Sequence, residues 1–587
     1  MKPPPFSPSA VLTICLTLAG CGLPSDEIQE PSANTCAAAA DCGSEGACVA
    51  TQDGETRCVA TAADLGSVIL EVRPTGSDAS FVFFDAVNVV AASENGLLQN
   101  LDLVLPAPVP VTGKLSAPGL SADCATKDGT LPVDVTLIRR VEFSPFASRF
   151  KLPSTVKSAD ETAAFSLSVP PGTYDLYLQP RPLLERCAAE LPPPELVTGL
   201  VVADGVPHDY APDEMSEVVE LSGSIIVPGL AGGLDGWVLE VLDPTYGYVI
   251  SNQFLLTEPG EPPLEIKNFF YHDTTDAILR LRNAEGNLSV HWALDALDLN
   301  SDHVVELDLG DLVSEPLPTP FTARVVDSTG AFVPSASISI QSLALTGSTN
   351  QNANYLIQTS ADETGTVTVE LVPGTYSVTI VPDVLGDATY FGEWEITAEL
   401  EPFGKTFELV VQPVLNGVVT DPTGAALISA PITVVPSQSV ANSYFTRALV
   451  DPEPFKRQFA ALSNADGSFG LAVDPGEIDL AVQMAAETGY PWSVLPSFKV
   501  DAAKLKPLLD VGEMQVRYPV MLQGHVSDVG MALPYAQVRA WVVGASETGD
   551  GPLIQIGAAI TDANGAYMLP LPPGITIVDS QPAESAE

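Results

Sequence analysis

The segment His303-Val304-Val305-Glu306 sets a histidine three residues before a glutamate, the H-x-x-E spacing that can bring an imidazole and a carboxylate onto one zinc ion. Residues 302–309 alternate apolar and polar, however, as a strand does. Residues i and i+3 of a strand project to opposite faces, so the pair is not expected to converge on a metal. The next histidine is His525, and no G-x-S-x-G, H-E-x-x-H or phosphate-cradling glycine loop occurs. With five histidines in 587 residues, the reading is non-enzymatic, with no catalytic residue, no cofactor and no metal site.

The cysteines carry the clearest chemistry. Leu18-Ala19-Gly20-Cys21 follows Lys2 and an apolar run over 11–18, and resembles the bacterial lipoprotein signal peptide with its lipobox. That resemblance implies cleavage before Cys21, diacylglyceryl transfer to its thiol and a membrane anchor of several acyl chains, each buried CH₂ contributing about 0.8 kcal/mol. Gly22 after the cysteine resembles outer-membrane destinations. Six cysteines then remain in an oxidising compartment. Cys36, Cys42, Cys48 and Cys58 lie within 23 polar, alanine-rich positions that cannot build a core without covalent help. Three pairings are open, Cys36 with Cys48 and Cys42 with Cys58 being preferred; no C-x2-C spacing or nearby histidine favours zinc. Cys124 and Cys187, 63 positions apart, form the remaining candidate bond, adding about 4 kcal/mol by loop closure.

Acidic turns such as Ser360-Ala361-Asp362-Glu363-Thr364-Gly365 invite a calcium reading, yet aligning Gly365 with position 6 of an EF-hand puts Ser360 and Leu371 where acidic ligands belong. Hairpin turns select Asp, Asn and Gly for backbone reasons, which is the simpler account; calcium at junctions between units is the rival. Aromatic residues are only 7% of the chain, but Trp237, Tyr246, Tyr248, Phe254, Phe269, Phe270, Tyr271 and Trp292 gather in one stretch. Core packing accounts for most of them. Tyr246, Tyr248 and Tyr271 are the candidate ligand contacts, with polysaccharide as the ligand in an alternative, carbohydrate-binding reading.

These residues need a frame, and composition indicates which. Hydrophobic residues are 46% and charged ones 17%, so the chain folds; 52 prolines and 45 glycines leave room for short strands rather than long helices. The fold class is all-β. Lys plus Arg number 25 against 74 Asp plus Glu, and a net charge of −49 excludes nucleic acid as a partner. Beyond the N-terminal stretch no apolar run reaches 18 residues, so no second membrane span is expected.

A block recurs along the chain. Its opening strand centres on a small residue at Gly113, Gly223, Ala323, Gly417 and Gly524, at intervals of 110, 100, 94 and 107. An Asp-rich hairpin turn follows, then a Pro-Gly step: Pro170-Pro171-Gly172-Thr173-Tyr174, Pro373-Gly374-Thr375-Tyr376, Pro475-Gly476 and Pro572-Pro573-Gly574-Ile575, each expected to lead into another strand. The set resembles the carboxypeptidase regulatory-like domain family over about 111 to 580. The resemblance implies transthyretin-like, Ig-like seven-stranded sandwiches, and nothing in the chain provides the catalytic body of metallocarboxypeptidases. The unit at 220–317 lacks the Pro-Pro-Gly step.

The expected organisation is a signal peptide over 1–20, a flexible leader over 21–35, a disulfide-rich segment over 36–64, a partial β unit over 65–110, and sandwiches over 111–219, 220–317, 318–412 and 413–519. A short fifth sandwich with a polar tail occupies 520–587. Residues 65–110 read as the second half of a unit placed before the first full one, whereas the fifth unit lacks its second half; its edge is either tolerated or covered by another segment. The functional reading is a lipid-anchored envelope protein, an adhesion or scaffolding rod adding roughly 30 to 40 Å per unit and meeting envelope proteins or polysaccharide through multivalent weak contacts.

Overall fold

In Thr319–Val326, Phe321, Ala323 and Val325 are buried while the intervening Thr322 and Arg324 are not, and Ser337–Leu345 buries Ile338 and Ile340 in the same way. Period-two burial of this kind makes a strand with one core face, and the chain repeats it almost throughout. The computed structural model describes residues 33–575 apart from internal segments, among them 75–82, 117–123, 140–149, 152–163, 227–235, 309–318 and 437–456. The fold is all-β, with tandem sandwiches behind a small disulfide-bonded segment.

The third unit shows the common plan. One sheet runs Asn354–Ser360, Ser337–Leu345, Gly374–Val381, Tyr390–Ile396; the other runs Thr366–Leu371, Thr319–Val326, Phe403–Glu408. The last strand lies parallel to the first, closing the sandwich. First and last strands are likewise parallel in the first, second and fourth units. The divergent second unit therefore belongs to the series despite its missing Pro-Pro-Gly step. Its sheet continues across the unit boundary, because Leu288–Ala293 pairs antiparallel with Asn354–Ser360. Units two and three consequently share an eight-stranded sheet and one hydrophobic core.

The conserved plan explains the motifs. A β-carbon on Gly223 would stand 1.6 Å from the Val305 carbonyl oxygen, and one on Gly524 would stand 2.0 Å from that of Leu101, so the small residue in these opening strands makes room for the closing strand. In the Pro-Pro-Gly step, the Tyr174 hydroxyl donates to the Pro170 carbonyl at 2.7 Å, satisfying a phenol in the core. The acidic turns hold themselves: Asp327 Oδ1 accepts from the N–H groups of Thr329 and Ala331, as Asp562 Oδ1 does from Asn564 and Ala566. Those carboxylates serve their own backbone, the role that turn chemistry assigns them.

The two incomplete units are halves of one sandwich. Ser67–Arg73 pairs with Gln537–Val543 and with Phe83–Asn88, while Leu98–Asn100 and Leu103–Leu105 run parallel to Val520–Asp528. The expected tolerance or covering of the fifth unit's edge is thus resolved as covering, by residues 65–110. One expectation is corrected. The Pro572-Pro573-Gly574 step does not feed the strand position that Gly374–Val381 fills beside Ser337–Leu345, because Ser67–Arg73 occupies that position beside Gln537–Val543. Residues after Ile575 lie outside the described ones. Val68, Leu70, Val72, Leu103 and Leu105 from one end share a core with Leu522, Val538, Ile556 and Leu569 from the other.

The links between units are short at both ends of this composite sandwich. Leu105 and Val109 are separated by 106–108 alone, which reach at most about 14 Å, so the first full sandwich starts beside the composite one. The fourth sandwich ends at Gln515 and the composite resumes at Val520. The five sandwiches therefore follow one another in a closed circuit.

Candidate functional site

The seam where the N-terminal and C-terminal halves meet carries two disulfides, buried hydrogen bonds and a cleft. Cys36–Cys48 and Cys42–Cys58 are bonded, matching the preferred pairing, and they hold the hairpin Gly46–Ala50 with Thr56–Ala60. The four sulfurs are consumed in these bonds, which leaves no thiolate for zinc. Cys124 is buried and disulfide-bonded; Cys187 lies outside the described residues, as do Cys21 and the lipobox.

The knob is wedged between the fourth and composite sandwiches. The Asn34 side-chain amide donates to the carbonyls of Cys58 and Gly489 at 2.8 and 3.0 Å, and its backbone N–H donates to Thr488 O. On the other side Gln52 N–H donates to Gln523 Oε1 at 3.0 Å, and Ala60 N–H to Pro519 O at 2.8 Å. The Arg57 side chain, 4% exposed, is paired with Asp53 and Glu55 at 2.9 and 2.8 Å. The ring of Tyr518 packs on the cystines, and burial, with Asp421 and Glu45 nearby, pushes its hydroxyl above the ordinary phenol range.

A cleft of about 590 Å³ opens at this seam, with Glu45, Asp64, Arg517, Tyr518 and Ile575 on its walls. Asp64 N–H donates to Pro573 O at 2.6 Å, tying the entry of the N-terminal half to the end of the C-terminal one. The cleft has charges of both signs. Its lining residues include no histidine and no cysteine.

The other sequence-derived candidates are dispersed. Tyr271, expected at a ligand, is 1% exposed within the shared core of units two and three, because its strand turns it inward with Phe269. It is a packing residue. Tyr248 is half-buried and stacks on Tyr177 of the preceding sandwich, ring centroids 4.3 Å apart and planes 11° from parallel. The Tyr177 hydroxyl donates to Val249 O at 2.9 Å, so these rings form a joint between units. Tyr246 and His303 lie outside the described residues, while Glu306 falls on the strand Val304–Asp308, as the alternation requires. Trp292 and Phe269 are core residues.

Sequence reasoning missed the joint between the third and fourth sandwiches. Asp474 accepts from the Thr389 N–H and hydroxyl at 2.9 and 2.6 Å, from Gln412 at 3.2 Å and from Arg457 at 3.3 Å. Arg457 also donates to the Asp387 carbonyl at 3.0 Å. The signal available was Asp474 itself, standing directly before the Pro475-Gly476 step where sandwiches one, three and five carry an apolar residue or a proline.

The sequence matches no protein-family model and no curated protein at a significant level. Among solved structures, it is similar to a streptococcal ancillary pilin at 15% identity, covering 50% of this chain and 99% of that one, with a TM-score of 0.19. It is also similar to the shaft pilin SpaA of Lactobacillus rhamnosus GG at 12% identity, covering 34% and 98%, TM-score 0.18. The Bacillus anthracis TIE protein is 13% identical over 78% of this chain and 72% of its own, TM-score 0.15. Superpositions at these scores bear on neither the arrangement of the sandwiches nor their role.

Proposed function

We propose that the chain is a non-enzymatic scaffold of the cell envelope, anchored through lipid on Cys21, whose linked β-sandwiches present adhesive surfaces to envelope proteins or polysaccharide. The observation that carries this reading is the construction of the joints. Tyr177 on Tyr248, the strand pair between units two and three, the Asp474 cluster and the wedged knob each fix one sandwich against the next with buried or half-buried groups. Such joints suit a protein that holds position and spacing. The Leu18-Ala19-Gly20-Cys21 motif supports the anchor, and the repeated turn and Pro-Pro-Gly motifs support a relationship to carboxypeptidase regulatory-like domains.

The test is fractionation of cells expressing the native chain and Cys21→Ser, with mass spectrometry of the Cys21 peptide. Membrane-bound native chain carrying a diacylglyceryl mass, with the variant released, is the expected result. Native chain in the soluble fraction with an unmodified peptide contradicts the anchor, and a chelator-sensitive peptidase activity contradicts the non-enzymatic reading.

A further inference from the structure

We propose that the split sandwich also closes between molecules: strands 67–105 of one copy complete the C-terminal half of a second copy, joining chains head to tail. The two halves are held together by hydrogen bonds and a shared core, and residues 106–519 separate them in sequence. Neither half can bury its apolar face alone. Val68, Leu70, Val72, Leu103 and Leu105 need Leu522, Val538, Ile556 and Leu569, whichever chain supplies them. Every pairing made within one chain is equally available between two, which is the condition for exchange of an element between identical protomers.

Both halves join the rest of the chain through short links. Pro106-Ala107-Pro108 is a stiff three-residue link on one side, and Val516-Arg517-Tyr518-Pro519 is the link on the other. Short hinge loops are the places where exchange of an element between identical chains starts. The contact is heterologous, the N-terminal half of each copy meeting the C-terminal half of the next, so reciprocal exchange closes a dimer or ring and unreciprocated exchange extends an open string. In dilute solution the partner half in the same chain is present at an effective concentration on the order of millimolar, and closure within the chain wins. Copies crowded on a surface approach that concentration and can exchange.

The experiment uses full-length chains carrying Cys21→Ser, so that lipid does not drive association. Leu70→Asp disables the N-terminal half of one chain and Leu522→Asp the C-terminal half of another, each carboxylate entering the core. Light scattering at micromolar concentration is expected to find each variant alone at monomer mass and the mixture at twice that mass. A second arrangement avoids reliance on the variants: two differently tagged chains with wild-type halves are unfolded without reduction and refolded together at high concentration. Retention of one tag with the other, lost when both chains carry Leu70→Asp, supports exchange. Monomers in the mixture and no co-retention on refolding overturn it, as does co-retention that survives Leu70→Asp in both chains.

Discussion

The indole N–H of Trp541 donates to Glu71 Oε2 at 2.8 Å across 470 positions of sequence. Glu71 is fully buried on the face of its strand opposite the core residues Leu70 and Val72, and its other oxygen is paired with Arg73, so both ends of the array contribute partners to one buried carboxyl group. Removing the indole donor strands part of that carboxylate. Trp541→Phe is expected to destabilise the composite sandwich by about 1–3 kcal/mol, read as a lower denaturant midpoint for the transition of this unit.

The close approach at Gly524 gives a sharper steric test. Gly524→Ala places a methyl 2.0 Å from the Leu101 oxygen, and the strands 98–105 must shift to admit it. A cost of about 1–3 kcal/mol is expected, with faster proteolysis near Leu101. Ala323, which holds the equivalent position in the third sandwich and is buried, should accept Gly with little structural change.

The acidic turns predict a pH dependence. The Ala566 N–H, followed by burial acting the other way and then Asn564, sets the Asp562 carboxyl below the usual carboxylate range. A group with a depressed folded pKa stabilises above the unfolded value of about 3.9, and that contribution is lost as pH falls through the folded value. Asp562→Ala should therefore lower the melting temperature at pH 6, and the difference from the native chain should shrink toward pH 2.

Much of this was legible in the sequence, and for a physical reason: period-two burial, turn residues and the cysteines of the knob act over short distances. The strands around Ala323 and Gly417 and the turns at Asp327 and Asp421 follow from that local code. Even the missing half of the last unit was visible as a gap. What filled it was not, because Ser67–Arg73 and Gln537–Val543 carry the same alternation as every other strand, and register between distant strands leaves no local mark. The aromatic stretch misled for a related reason. Tyr271 and Phe269 occupy alternate positions of one strand, and which face meets the core is decided by the sheet packed against it.

The knob should depend on its bonds. Closures of 12 and 16 residues contribute about 3 kcal/mol each on the loop-entropy model. Cys42→Ser with Cys58→Ser is expected to raise amide exchange over 56–60 by about a hundredfold, while exchange in the strands of the third sandwich stays unchanged.

Asp474→Ala removes the carboxylate that gathers Thr389, Gln412 and Arg457. The third and fourth sandwiches each keep their cores, so the expected effect is a looser joint. Small-angle scattering should show a broader distribution of dimensions, and calorimetry should separate transitions that overlap in the native chain.

Hydrogen exchange of residues 67–73 is the most direct measurement of all, made on the full chain and on a chain ending after residue 519. Slow exchange in the full chain that becomes fast in the shortened one is the result expected if the two ends form a single sandwich. Equal protection of this strand in both chains would contradict it.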